Sequence, residues 1–271
     1  MLTEQTRNKL TTIAENEQKV YDNGVADGKR AEYDAFWDDF QSDERVARDG
    51  YEYAFMRTRW TDEIFRPKKD LKAKNFYWAF YGTGITDLQA CLDRQGVKLD
   101  TSQAQNVASI FQSANKCKRF PSLDLRSATV AITNLYHSCW SAETIGTIIL
   151  KDDGSQVMNE NCFYDTPKLK NISFEGTIGN GLKLSWSPLL TVASLKSIIK
   201  HLKDYSGTDK EFAYTLTVKS SAWETLDESG YTDEDYDWFY SMWYLDRDFI
   251  DESYSSWADI VGLLAWNLVL A

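Results

Sequence analysis

The sequence predicts an α/β chain laid down as a row of stacked units, each contributing one short strand. Three observations carry that prediction. An aromatic-then-strand phrase recurs: "IFQSANKCKRFPSLDLRS" begins at Ile110, "LYHSCWSAETIGTIILKDD" at Leu135 and "CFYDTPKLKNISFEG" at Cys162, which separates Phe111, Tyr136 and Phe163 by 25 and 27 residues. Four cysteines, Cys91, Cys117, Cys139 and Cys162, follow one another at the nearly even intervals of 26, 22 and 23 residues. Aromatic residues make up 14% of the chain, with ten tryptophans and fifteen tyrosines, an excess that suits large packing or contact surfaces.

A period of roughly 20–29 residues, with one strand and one irregular or helical return per unit, is that of the leucine-rich class of solenoid. The expected fold is therefore an irregular leucine-rich-repeat-like solenoid, preceded by an N-terminal helix and an aromatic-rich cap. A single unit cannot bury its own apolar face, whereas stacked units share one continuous core.

Five segments follow in order. In residues 1–30, Leu10, Ile13, Val20 and Tyr21 share one helical face, which predicts a helix for anchoring or oligomerisation. Glu17 stands where a heptad wants an apolar residue, and Gly24 and Gly28 break the tail, so a coiled coil and a lone anchoring helix both remain open. Residues 31–75 place Tyr33, Phe36, Trp37 and Phe40 at helical spacing and close at Pro67; they read as a cap over the open end of the array.

Residues 76–223 hold the units. A degraded copy, "AFYGTGITDLQACLDRQGVKLDTS", is led by Phe80, and strands are expected at Val97–Asp100, Leu123–Leu125, Ile148–Leu150, Ile172–Phe174, Leu182–Trp186 and Leu216–Val218. Leu195, Ile198, Ile199 and Leu202 mark one proper helix, with Thr191 as N-cap and Gly207 as stop. Residues 224–255 read as an acidic, aromatic insertion, and residues 256–271 as a capping helix that runs into a strand at "WNLVLA".

Charge and motifs narrow the function classes. A net charge of −11 disfavours nucleic acid, whose binding needs Lys and Arg to neutralise phosphates. No apolar run approaches the roughly 20 residues that span a bilayer, and the amino terminus shows no apolar core of signal-peptide length, so membrane insertion is not expected. The cysteines lack C-x-x-C spacing and read as small buried apolar residues. His137 and His201 have no partner at triad or metal spacing, and the glycine turns at Gly82 and Gly176 lack the Lys-Ser/Thr of a phosphate loop. No cofactor, metal or catalytic residue is expected.

The outlier is Glu224 to Glu252, with eleven acidic residues against the single Arg247. Tyr231, Tyr236, Trp238, Tyr240, Trp243 and Tyr244, together with Asp233, Asp235 and Asp237, are the candidate binding surface, because rings take the apolar faces of sugars or the stems of basic side chains while carboxylates take their polar groups. Phe239 and Phe249 add to it. The competing expectation is that these rings pack back on the solenoid or on a neighbouring subunit. The alternating aspartates resemble the start of a calcium loop, but its sixth and twelfth positions are Trp238 and Tyr244 instead of Gly and Glu.

The rungs "FYDTPKLKNISFEG" and "LYHSCWSAETIGTIIL" resemble BspA-type leucine-rich repeats of bacterial surfaces and their phages. The blocks "AEYDAFWDDFQ", "WTDEIFRPKKDLK" and "LSWSPLLTVASLKSIIKHLKDYSGT" and the closing "WNLVLA" resemble a group of proteins of phages and prophages of Gram-positive gut bacteria. The similarity covers most of Ala31 to Gly207 and the carboxyl strand. It implies a virion structural protein, in a tail, tail fibre, baseplate or head appendage, that displays a repeat domain for host attachment. The implied partners are other virion proteins, copies of itself, and a host cell-surface glycan or protein. It implies no catalytic residue. Two departures stand out: the rungs lack a strict leucine consensus, and residues from Glu224 to Glu252 look inserted. A bacterial cell-surface adhesin with the same repeats is the alternative. A glycan-active enzyme would need a carboxylate pair on facing elements, which nothing in the spacing sets.

Overall fold

The computed structural model describes residues 37–38, 40–42, 50–56, 60–245 and 247–271. The expected N-terminal helix face of Leu10, Ile13, Val20 and Tyr21 lies outside the described residues, as do Tyr33 and Phe36 of the expected cap. The chain is mixed α/β, with helices and several small sheets whose strands all pair in parallel, and the described strands form no closed barrel.

Strand β1 (Leu71–Lys72) pairs with β2 (Leu99–Asp100). Strands β3 (Arg119–Phe120) and β4 (Leu123–Asp124) both pair with β5 (Thr144–Ile149), which pairs with β6 (Asn171–Glu175). Strands β7 (Leu182–Leu184), β8 (Thr215–Val218) and β9 (Asn267–Leu270) make the third sheet, in chain order. Leu123 lies opposite Ile148, and Ile148 opposite Phe174, steps of 25 and 26 residues. Alternation sends Ile172 and Phe174, Leu182 and Leu184, and Leu216 and Val218 inward. Pro121 has no N–H to give the ladder, so β3 and β4 are two pieces facing one continuous strand. Opposite that break sits Gly146, where a Cβ would meet the Ser122 nitrogen at 2.5 Å. Ser122 Oγ accepts the Thr147 N–H at 2.9 Å, so this N–H of β5 is satisfied across the break.

Away from the strands, a second set of backbone bonds joins successive turns. The N–H of Phe55 donates to Ala79 O (2.8 Å), Phe80 to Ile110 O (2.8 Å), Phe111 to Leu135 O (3.1 Å) and Tyr136 to Cys162 O (2.8 Å). These bonds satisfy buried backbone that belongs to no strand. The same residues put their rings in one column: Phe55–Phe80, Phe80–Phe111, Phe111–Tyr136 and Tyr136–Phe163 have centroids 4.9, 5.6, 5.4 and 5.8 Å apart. Trp37, Phe40, Tyr51, Trp60 and Phe65 are buried at the near end of this column, where the cap was expected.

Several boundaries differ from expectation, among them the strand expected over Ile148–Leu150, which runs from Thr144 to Ile149. The turn Tyr51–Met56 bonds to Asn75, Tyr77 and Ala79, so backbone bonding between successive turns is present within the segment expected as a cap. The degraded copy contains helix α1 (Leu88–Gln95), capped by the Asp87 side chain and stopped by Gly96 in the left-handed region; Leu88, Cys91 and Leu92 face inward. Helix α2 (Val192–Lys200) starts at Thr191 as expected but stops at His201, well before Gly207, because Ile178 N–H takes the His201 carbonyl and Leu202 bridges to Ile178. The strand expected over Leu182–Trp186 ends at Leu184, beyond which Trp186 turns to solvent. The differences at Tyr51–Met56 and at the end of α2 reflect a backbone partner far along the chain, whereas α1 is bounded by its own Asp87 and Gly96.

Candidate functional site

The acidic segment is a helical layer. Helix α3 (Ser220–Ser229) straddles the expected boundary at 224, because Trp223 and Leu226 belong to one buried face. Helix α4 (Asp233–Trp243) opens with a reciprocal capping box between Thr232 and Asp235. Helices α5 (Arg247–Ser253) and α6 (Trp257–Leu263) follow, α6 with its own capping box between Ser256 and Asp259.

The centre of this layer is an ion triad. Lys196 and Lys200 lie one turn apart on α2 and reach the Asp235 carboxylate at 2.5 and 2.9 Å. Asp235 is only 1% exposed and also accepts the Thr232 N–H and hydroxyl, each at 2.8 Å. Burial works to raise its pKa, but the bonds from Lys196, Lys200 and Thr232 more than offset burial and hold it at about 2. The lysine heads also sit over rings, Lys196 at 5.1 Å from Trp257 and Lys200 at 5.8 Å from Trp238. Asp235 therefore clamps α4 to α2 and does not join an exposed surface.

The other candidate residues divide. Tyr231 packs edge-on against Phe239 and Trp257, both at 5.2 Å. Tyr236 is half-buried, donates to Asp251 at 2.6 Å and lies beneath the Arg247 guanidinium at 4.2 Å. Trp238 and Trp243 meet edge to face at 5.4 Å, and Trp243 Nε1 donates to Asp204 at 3.2 Å. Those rings serve the layer's own packing. Asp233 is exposed and pairs with Arg247, Asp237 is exposed, and Tyr240 and Tyr244 are 57% and 80% exposed. Phe249 is exposed as well. Only the latter group presents an outer surface, while Tyr231, Tyr236, Trp238, Trp243 and Asp235 are taken up in packing.

A second group of rings was not marked by the spacing of the strands. The residue after each of the last two rings of the column faces outward: His137 after Tyr136, and Tyr164 after Phe163. His137 stacks on Tyr164 with centroids 4.9 Å apart, and Tyr164 meets Trp186 of the following turn at 4.9 Å. Beside them Trp140 is 52% exposed, and its indole N–H donates to Asp165. The signal was present in "LYHSCW" and "CFYDT", where an aromatic or His follows the rung ring at once.

The remaining chemistry-bearing groups have structural partners. Cys91, Cys117, Cys139 and Cys162 are free and buried; burial pushes Cys91, Cys117 and Cys162 up to about 12 and raises Cys139 as well. His201 Nδ1 donates to the Ser197 carbonyl at 2.7 Å, and His137 Nδ1 bonds Ser138 Oγ at 3.1 Å. Among the described residues no cluster of three or more His, Cys, Asp or Glu is placed to hold a metal ion, and no helix is long and apolar enough to cross a membrane. A depression of about 500 Å³ lies between α1 and Ser122, with Gln89, Asp93 and Lys98 on its wall. No protein family model, curated protein or solved structure matches the chain.

Proposed function

We propose that this chain is a binding and assembly protein of a phage virion, a leucine-rich-repeat-like solenoid that meets a host surface or neighbouring virion proteins instead of turning over a substrate. The observation that carries this reading is the unbroken ring column from Phe55 to Phe163, one ring per turn, alongside parallel pairing between successive strands. Such stacking commits the interior to packing and leaves the outer faces free to vary. The buried thiols and the clamped Asp235 support the same reading, since these reactive groups are used as core and clamp.

Immunogold imaging of purified particles, together with adherence of the purified full-length chain to host cells, tests it. Label on an appendage, or saturable adherence, supports it. Absence from particles combined with no adherence would sink it, and recovery of the chain on the surface of a cell that encodes it would favour an adhesin instead.

A further inference from the structure

We infer that the outward row formed by His137, Trp140, Tyr164, Asp165 and Trp186 is a binding platform for a neutral saccharide. The inference rests on the attachment reading above and moves its contact surface from the acidic helices to the turn side of the array. Trp140 and Trp186 are 52% and 43% exposed, so each offers indole area to a ligand, and Tyr164 lies between Trp186 and His137. Exposed single apolar residues are ordinary, but a run of adjoining rings from three successive turns is not.

The polar atoms on the rim decide the ligand class. Tyr164 Oη, Trp186 Nε1 and His137 Nε2 make no hydrogen bond to another described residue, and Asp165 spends one carboxylate oxygen on Trp140 and keeps the other. A pyranose presents an apolar C–H face ringed by hydroxyls. Ring faces would cover the first, while the rim supplies donors and an acceptor for the second. A flat apolar protein patch would leave those rim groups unpaired. The Asp165 carboxylate, which has no cationic partner among the described residues of the row, argues for a neutral ligand over an acidic one. The bond to Asp165 holds Trp140 in place although half of it faces water, so less side-chain entropy is lost on binding.

The test is affinity electrophoresis of the full-length chain through native gels containing a neutral β-glucan, an α-mannan or a rhamnan. At least one polysaccharide should retard the protein. Trp140→Ala and Trp186→Ala should each weaken that retardation at least about tenfold, with urea midpoints close to wild type. Asp165→Asn, which keeps the side-chain shape, should weaken it as well, and Tyr244→Ala on the acidic helices should leave it unchanged. No retardation by any of the three polysaccharides, or retardation untouched by the tryptophan variants, overturns the inference. The attachment reading fails separately: host-cell adherence that persists in Trp140→Ala and Trp186→Ala would leave it standing while the saccharide platform falls.

Discussion

The Asp235 clamp should dominate the stability of the C-terminal layer. A carboxyl held at about 2, against an ordinary 3.8, contributes roughly 2 kcal/mol at neutral pH. The folded-state value is depressed, so this contribution is present above pH 4 and disappears as pH falls toward 2. Asp235→Asn goes further, because it leaves Lys196 and Lys200 facing each other without a counter-charge. Removing one partner of a buried pair costs about 3–5 kcal/mol. The lysine side chains retain 13% and 19% exposure, which lets water reach them and places the expected loss at about 3 kcal/mol at pH 7. Urea unfolding followed by tryptophan fluorescence at pH 7 and pH 2.5 measures it. The gap between wild type and variant should narrow at the lower pH as wild type loses its own charge. A triple variant, Lys196→Met with Asp235→Leu and Lys200→Met, should recover most of the loss, because it removes the charges together. A gap below about 1 kcal/mol at pH 7, or one that does not change with pH, would show that the triad is not the clamp.

Four further outcomes follow from the ring column and the thiols. Phe111→Ala removes a ring that touches Phe80, Phe120 and Tyr136 at 5.6, 5.0 and 5.4 Å, and should cost about 3–5 kcal/mol in urea unfolding. Tyr136→Phe should be neutral or stabilising by about 1 kcal/mol, since the buried Oη has no hydrogen-bond partner among the described residues; a loss of stability would reveal a bonded water at that hydroxyl. The four cysteines should resist a thiol reagent at pH 8 until urea unfolds the chain, then all react. Their raised folded values also imply stability that is complete below about pH 8.5 and falls as pH climbs above it, because only the unfolded thiols then ionise.

Period and burial were legible in the residues themselves. The phrases at Ile110, Leu135 and Cys162 foretell that Phe111, Tyr136 and Phe163 stack, and the strands Leu123–Asp124, Asn171–Glu175 and Leu182–Leu184 fall within a residue or two of expectation. Thr191 and Ser256 declare their helices by side-chain chemistry that acts over three residues. What escaped depends on partners far along the chain. Nothing near Asp235 announces Lys196, 39 residues earlier, so an aspartate in an acidic run reads as exposed until the α2 face is placed against it. Likewise the stop of α2 at His201 comes from Ile178, 23 residues back, while the local sequence points to Gly207. The outward row was missed for a different reason: a single aromatic beside a core ring carries no period, and only the turn-to-turn bonds that align Tyr136 with Phe163 bring His137 and Tyr164 face to face.

The irregular period has a physical consequence for how such an array can change. From Phe80 to Phe111 the step is 31 residues, against 25 on either side, yet the ring spacing stays at 5.6 Å because the intervening chain holds the eight-residue helix α1. Rings stack over a range of tilts, here from 13° to 37° along the column, so the core tolerates a unit of different length provided one aromatic returns to the column. Backbone register is less forgiving. At Gly176, with φ +74°, a Cβ would sit 2.1 Å from the Leu150 carbonyl oxygen, and at Gly146 one would strike the Ser122 nitrogen. Length and surface residues are thus free to vary in the returns, where the exposed rings and α1 lie, while the strand side is held by close backbone approach. A contact surface built on the returns can change without unseating the strands.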